Sequence, residues 1–533
     1  MLSVNNVSVI FPDKKLFDDV NLNFNPGNCY GIIGANGAGK STFLKILSGE
    51  KEPSTGSVSL DKNKRMSKLN QDHYAFEDEL VIDTVIMGNK RLYDIGKEKD
   101  AIYMKEDFSD EDGIRAAELE SEFGEMGGYE AESEASSLLQ GLGITTDKHN
   151  LYMKNLVEAD KVKVLLAQAL FGSPDILLLD EPTNGIDVRA VLWLEDFLST
   201  FEGIVIIVSH DRYFLNEVCT HMVDIDFGKV NLFIGNYDFW YESSQLAQKM
   251  AKEENKKKEE KIKELEEFIR RFSANKSKSK QATSRKKLLD KITLDDIKPS
   301  SRRYPFVSFE LSREVGKEIL NVENLNLKDG DRVLLKDFSL RVNKGDKIGF
   351  IGNEIAITEF FKLIIDKDNI DHPNFKWGQT VTKEYFPKDN SEFFDHVNLN
   401  LIDWLRQFSE EQSEIFIRGF LGKMLFSGDE TQKKAEVLSG GERVRMMFSK
   451  MMINPANVLI FDQPTNHLDL ESIEAVNNGL ISYKGNILFT SLDHQFISSV
   501  ANRIVEIFDD GSYRDEAITY EEYIEKYIAS DKE

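Results

Sequence analysis

The chain repeats itself. "PGNCYGIIG" (26–34) returns as "KGDKIGFIG" (344–352), 318 residues later. "LLLDEPTNGID" (177–187) returns as "LIFDQPTNHLD" (459–469), and "IVIIVSHDRYFL" (204–215) as "NILFTSLDHQFI" (486–497), both 282 residues later. Such a repeat restricts the chain to two copies of one architecture. The copies are expected over 1–243 and 304–533, joined by a linker over 244–303. The first copy carries about 36 extra residues, since the spacing falls from 318 to 282. They predict a helical arm at about 88–140. Residues 106–136 hold twelve acidic residues against Arg115 alone. That stretch is either a solvated acidic face or a docking surface.

Each copy opens with strand-like alternation, then a turn, then a helix. Each ends with two apolar strands. Strands alternating with helices predict a mainly parallel sheet in an α/β fold.

In the first copy the turn is "GANGAGKST" (34–42), which fits G-x-x-x-x-G-K-[ST] between a strand and a helix. Gly34, Asn36, Gly37 and Gly39 let backbone N–H groups face phosphate. Lys40 offers a point charge, Ser41 a hydroxyl for Mg²⁺, and Ser41 and Thr42 open the helix whose dipole favours an anion. Asp180 ends an apolar strand and is placed to hold the metal shell. Glu181 follows and can polarise water. His210 ends the next strand, within reach of a terminal phosphate. Positioning, a metal and a water-orienting group are the parts that phosphoryl transfer requires.

These motifs resemble those of the ABC ATPases over nearly all of both copies. The resemblance implies two tandem P-loop nucleotide-binding domains, with ATP and Mg²⁺ as ligands. It makes Gln71, in "KLNQDH", a further residue of the Mg²⁺ shell beside Ser41 and Asp180. It makes "LSGGE" (438–442) the signature loop, whose Ser439, Gly440, Gly441 and Glu442 cap the nucleotide held by the other copy. Glu181 and His210 become the catalytic pair.

The second copy departs from the pattern. Its turn, "GNEIAITEFF" (352–361), is one residue short, and Ile357 stands where Lys40 does. Pro387, Gln463 and Leu492 stand in place of Gln71, Glu181 and His210. The first copy's own signature position reads "LVEAD" (156–160), with two carboxylates facing the phosphate position. In an ABC sandwich each site joins one copy's phosphate loop to the other's signature. Sorted that way, one composite site is complete and the other has lost nearly every part. One hydrolysing site per molecule is the expectation, and Gln463 belongs to the lost one.

The linker inverts the charge of the body. The whole chain carries a net −25, yet residues 250–303 carry 18 Lys/Arg against 10 Asp/Glu. Ile262, Leu265, Ile269 and Phe272 recur at helical spacing, which predicts an antiparallel α-helical hairpin. Its tip, "RRFSANKSKSKQATSRKK" (270–287), holds Arg270, Arg271, Lys276, Lys278, Lys280, Arg285, Lys286 and Lys287 with no acidic residue. Basic residues on small polar spacers suit a nucleic-acid backbone. The longest apolar runs are strand-sized, well short of the ~20 residues a bilayer needs. Two cysteines exclude a disulfide framework.

Tandem ABC copies, no membrane-spanning run and a basic helical linker resemble the ABC-F family. The resemblance implies a cytoplasmic, monomeric protein with an intramolecular sandwich, gated by ATP. It implies the ribosome as partner, with rRNA and P-site tRNA met through the linker. The alternatives are the energy subunit of a separately encoded transporter, a DNA-associated ATPase, or a ribosome-protection factor in antibiotic resistance.

Overall fold

The computed structural model describes all residues except 12–14, 36, 63, 273–301, 303, 315, 331, 367–371 and 529–533. The two copies build the same sheet twice. In the first, the strand order is Met66–Lys68, Ile176–Asp180, Ile204–Val208, Asn28–Gly34, His221–Asp226, Lys229–Ile234. In the second it is Lys383–Phe386, Val458–Asp462, Asn486–Thr490, Lys347–Gly352, Arg503–Ile507, Tyr513–Glu516. The first five strands of each are parallel and the last pairs antiparallel. The central strands "IVIIV" and "NILFT" are buried at every position, as strands covered on both faces must be. A three-stranded antiparallel sheet flanks each: Lys15–Phe24, Leu2–Ile10, Thr55–Leu60 in one copy and Arg332–Val342, Leu320–Asp329, Phe375–Trp377 in the other.

Parallel strands deliver their carboxyl ends to one edge. Asp180 pairs with Val208, and Asp462 with Thr490, so the motif residues that follow these strands gather there. Sites in such sheets form at that edge.

The arm is a hairpin of the helices Lys90–Tyr103 and Asp110–Glu125. Its acidic residues are not a bare face. Arg91 pairs with Glu122 at 2.6 Å, Lys99 with Glu120 at 3.5 Å, and Arg115 with Glu98 at 2.9 Å. The opposing helix supplies cations that a count over 106–136 omits.

The helix that carries the linker is rooted in the first copy's core. One helix runs from Tyr237 to Phe272, beginning seven residues before position 244. The Asn236 side chain accepts the Phe239 N–H at 3.1 Å and caps it. Tyr237 and Trp240 are 4% and 3% exposed within the first copy's core, so the helix is anchored before it leaves the body. Arg270 and Arg271 lie in its last turn. Lys276, Lys278, Lys280, Arg285, Lys286, Lys287 and the hairpin's return limb lie outside the described residues. Among the described residues no helix is long and apolar enough to cross a membrane.

Candidate functional site

In the first copy, five residues separate the strand ending at Gly34 from the helix Lys40–Leu47. Gly37 and Gly39 take φ of 76° and 108°, a region that side chains avoid, so glycine is required there. The helix has no side-chain cap, which leaves its N–H groups for an anion. Lys40 is buried and donates from Nζ to the Gly34 carbonyl at 2.7 Å. That bond folds the loop around the ammonium. Burial lowers the Lys40 pKa, and Glu181 is the largest opposing charge. Asn36 lies outside the described residues.

Burial raises the Asp180 carboxyl, opposed first by a hydrogen bond with the Ser41 side chain. Hydroxyl and carboxylate together make a hard-oxygen pair suited to Mg²⁺. Glu181 has φ 53° and donates its N–H to the Val208 carbonyl at 2.8 Å. Its Oε2 accepts the His210 backbone N–H at 3.1 Å, and its Oε1 lies 3.4 Å from His210 Nε2. Burial pushes Glu181 up to about 8 and His210 down to about 3. His210 is therefore neutral, and the contact is not an ion pair.

These groups line one cavity of about 530 Å³ that spans both copies. Gly37, Gly39, Lys40, Ser41, Thr42, Gln71, Asp180, Glu181 and His210 line it from the first copy. Gly440 and Gly441 line it from the second. Of the residues singled out from sequence, Gly34, Ser439 and Glu442 stand back from the lining. Ser439 caps the helix Gly440–Ile453 and shares a capping box with Glu442. Glu442 accepts from Ser439 N at 2.9 Å and from Lys433 Nζ at 2.8 Å. Its carboxylate is spent on the helix terminus and on Lys433.

Sequence reasoning missed a second contribution from the far copy. Thr465, Asn466, His467 and Leu468 also line the cavity. The signal was the "PTN" shared by both repeats, read only for the residues before it. A Cβ on Gly441 would lie 2.8 Å from the His467 carbonyl, so this turn and the signature helix are in close contact.

The opposite site is built differently. A single residue, Asn353, joins the strand ending at Gly352 to the helix Glu354–Ile365. Asn353 Oδ1 accepts the Ala356 N–H at 3.1 Å, and its Nδ2 donates to Asp509 at 3.0 Å. The helix terminus is thus capped from within. Ile357 is fully buried in an apolar cluster with Phe360 and Phe361. Gln463 keeps φ 54°, and its Oε1 accepts the Leu492 N–H at 3.2 Å. Burial pushes Asp462 up to about 6. At the first copy's signature position, the helix Glu158–Leu170 starts at Val157, which offers no side-chain cap, and carries Glu158 and Asp160 in its first turn.

Comparison with known proteins agrees with this architecture. A family described as "ABC transporter" matches residues 17–184, and an extension of it matches 223–309. The chain is 63% identical to the uncharacterized ABC transporter ATP-binding protein YkpA of Bacillus subtilis (strain 168), over 98% of this chain and 97% of that protein. It is 44% identical to the probable ATP-binding protein YbiT of Escherichia coli O157:H7, over 97% and 98%. ABC transporter F family member 5 of Arabidopsis thaliana is 28% identical, over 99% of this chain and 78% of that protein. Among solved structures, archaeal ribosome recycling factor aABCE1, in complex with ribosomal stalk protein aP1, aligns with TM-score 0.63. The alignment covers 98% of this chain and 92% of that one at 16% identity, a likeness of fold.

Proposed function

This chain belongs to the ABC-F family of tandem ABC ATPases, with relatives of the YkpA and YbiT type, and we propose that it is an ATP-gated ribosome-associated translation factor with one competent site. The observation that carries the reading is the cavity shared by Lys40, Glu181, Gly440 and Gly441, set against a partner site whose phosphate turn is one residue long.

In this reading the loop N–H groups and Lys40 hold the ATP phosphates. Gly440 and Gly441, at a helix N-terminus, close on them from the second copy. Ser41, Asp180 and Gln71 would hold Mg²⁺, which would supply charge neutralisation at the phosphate oxygens. Glu181 orients the attacking water and takes its proton. Neutral His210 faces the terminal phosphate and fixes the Glu181 carboxylate beside it. ATP draws the copies together, and hydrolysis removes the group that both copies hold. The opposite site serves as a docking scaffold.

The partner is read from charge. An acidic body repels RNA everywhere except at the basic linker, so only one orientation on the ribosome is favourable. We place the protein in the cytoplasm as a monomer, with the domains divided near 243 and 304. The linker tip meets rRNA and P-site tRNA through Lys276, Lys278, Lys280 and their neighbours.

The test is co-sedimentation of the Glu181→Gln protein with ribosomes, with and without ATP. ATP-dependent co-sedimentation is expected. Absence of binding in both conditions, or retention on membranes or nuclease-sensitive DNA instead, would overturn the reading.

A further inference from the structure

Arg302 lies where the linker rejoins the body, and it touches three separate parts of the molecule. Its Nη2 pairs with Asp224 of the first copy's sheet at 2.7 Å. Its Nε pairs with Glu471 of the second copy at 2.8 Å. Its guanidinium lies over the Trp240 ring, 4.5 Å from the centroid, at the root of the outgoing linker helix. All three charged side chains are 10% exposed or less. A planar fork is suited to two carboxylates and a ring at once, where an ammonium is not.

Glu471 opens the helix Leu470–Ser482, which Asp469 caps by accepting the Ser472 N–H at 2.9 Å. The residues before it, Thr465 to Leu468, line the ATP cavity, and the His467 carbonyl abuts Gly441. Asp469 acts electrostatically on both Lys40 and His210. One short segment of the second copy therefore meets the nucleotide site on one side and Arg302 on the other.

We propose that Arg302 is a positioning residue that makes ATP-site closure and linker placement a single equilibrium. Asp224 and Glu471 belong to different copies, so they part when the copies part. Arg302 can follow only one of them, and the other is left a carboxylate without its cation. Closure on ATP reunites the pair around Arg302 and fixes the linker root through Trp240. The inference rests on the reading of the shared cavity as the ATP site, but not on the ribosome as partner.

The experiment uses the full-length Glu181→Gln protein alone, without ribosomes or RNA. Hydrogen exchange is followed at the backbone amides between Tyr241 and Leu265, with and without Mg-ATP. ATP binding is measured alongside by calorimetry. With Arg302 present, ATP is expected to slow exchange by about tenfold. Arg302→Met should abolish that response. Should its stranded carboxylates prevent folding, Arg302→Met with Asp224→Asn and Glu471→Gln keeps the shapes and removes the charges, and the response should again be absent while ATP still binds. Arg302→Lys should restore only part of it. The proposal is overturned if ATP slows exchange equally without the guanidinium, or if ATP binds the native-Arg302 protein and leaves these amides unchanged. Absence of ATP binding with Arg302 present would overturn the ATP-site reading and the proposal with it.

Discussion

Gln463 receives the Leu492 backbone N–H on its side-chain oxygen at 3.2 Å, the bond that Glu181 receives from His210 at 3.1 Å. The backbone frame is the same in both copies, down to φ values of 54° and 53°. What differs is whether the side chain can accept a proton.

Glu181→Gln is therefore expected to lower kcat for ATP by about 10²–10⁴, the range of a lost general base. Gln463→Glu should change kcat by less than about twofold, since Ile357 and the one-residue turn remain. Phosphate release under steady-state conditions measures both. A large gain from Gln463→Glu would show that the second site turns over.

The pH dependence follows from burial. Glu181 acts when ionised, and burial holds its carboxyl up to about 8. kcat/KM, which reports the free enzyme, should rise with pH below about 8 and level off above it. A profile flat from pH 6 to 9 would remove Glu181 as the base.

Gly441→Ala tests the contact between the signature helix and the far turn. The new methyl would sit 2.8 Å from the His467 carbonyl, a backbone atom that can move only with its turn. KM for ATP should rise by roughly tenfold, the effect of about 1.4 kcal/mol. Thermal unfolding should change less than KM, because Gly441 is half-buried at the helix's first turn and outside the apolar core.

Asp211 and Asp493 are equivalent residues of the two copies, both buried, and both line the shared cavity. Burial pushes them up to about 7 and about 6, and the Asp493 charge adds to the cost of ionising Asp211. Their folded values lie above the unfolded carboxylate value near 4. Their contribution to stability is then fully present below pH 4 and lost as pH rises through 6 to 7. The melting temperature should fall as pH rises from about 4 to about 7 and level off above that. Asp493→Asn should flatten the slope, which calorimetric scans at several pH values would reveal.

The doubled fold was legible because both copies keep the strand-end motifs that a parallel sheet needs. The cavity lining was legible where a residue's chemistry is local, as at Lys40, Ser41, Asp180 and Glu181. It was not legible where a side chain's partner is decided by tertiary placement. Glu442 sits in a phosphate-contacting motif, yet it bonds Ser439 and Lys433. His467 stands within the repeated stretch 459–469 but replaces a glycine of the first copy, and it reaches the cavity through a turn. The root of the linker helix was not legible, because charge marks where the helix meets solvent, whereas Tyr237 and Trp240 begin it inside the core.

The single residue between Gly352 and Glu354 sets the molecule's arithmetic. Where both pockets of a sandwich fire, occupancy of one can wait on the other, and rate can bend with concentration. Here the helix that would face a second nucleotide is stoppered by Asn353, and Ile357 is embedded behind it. On the proposed one-site reading, each grip and release is expected to spend one fuel molecule, with a hyperbolic response to ATP and two unequal faces of the clamp. A device of that kind has a built-in left and right, so the linker it carries always leaves from the same side of the event that moves it.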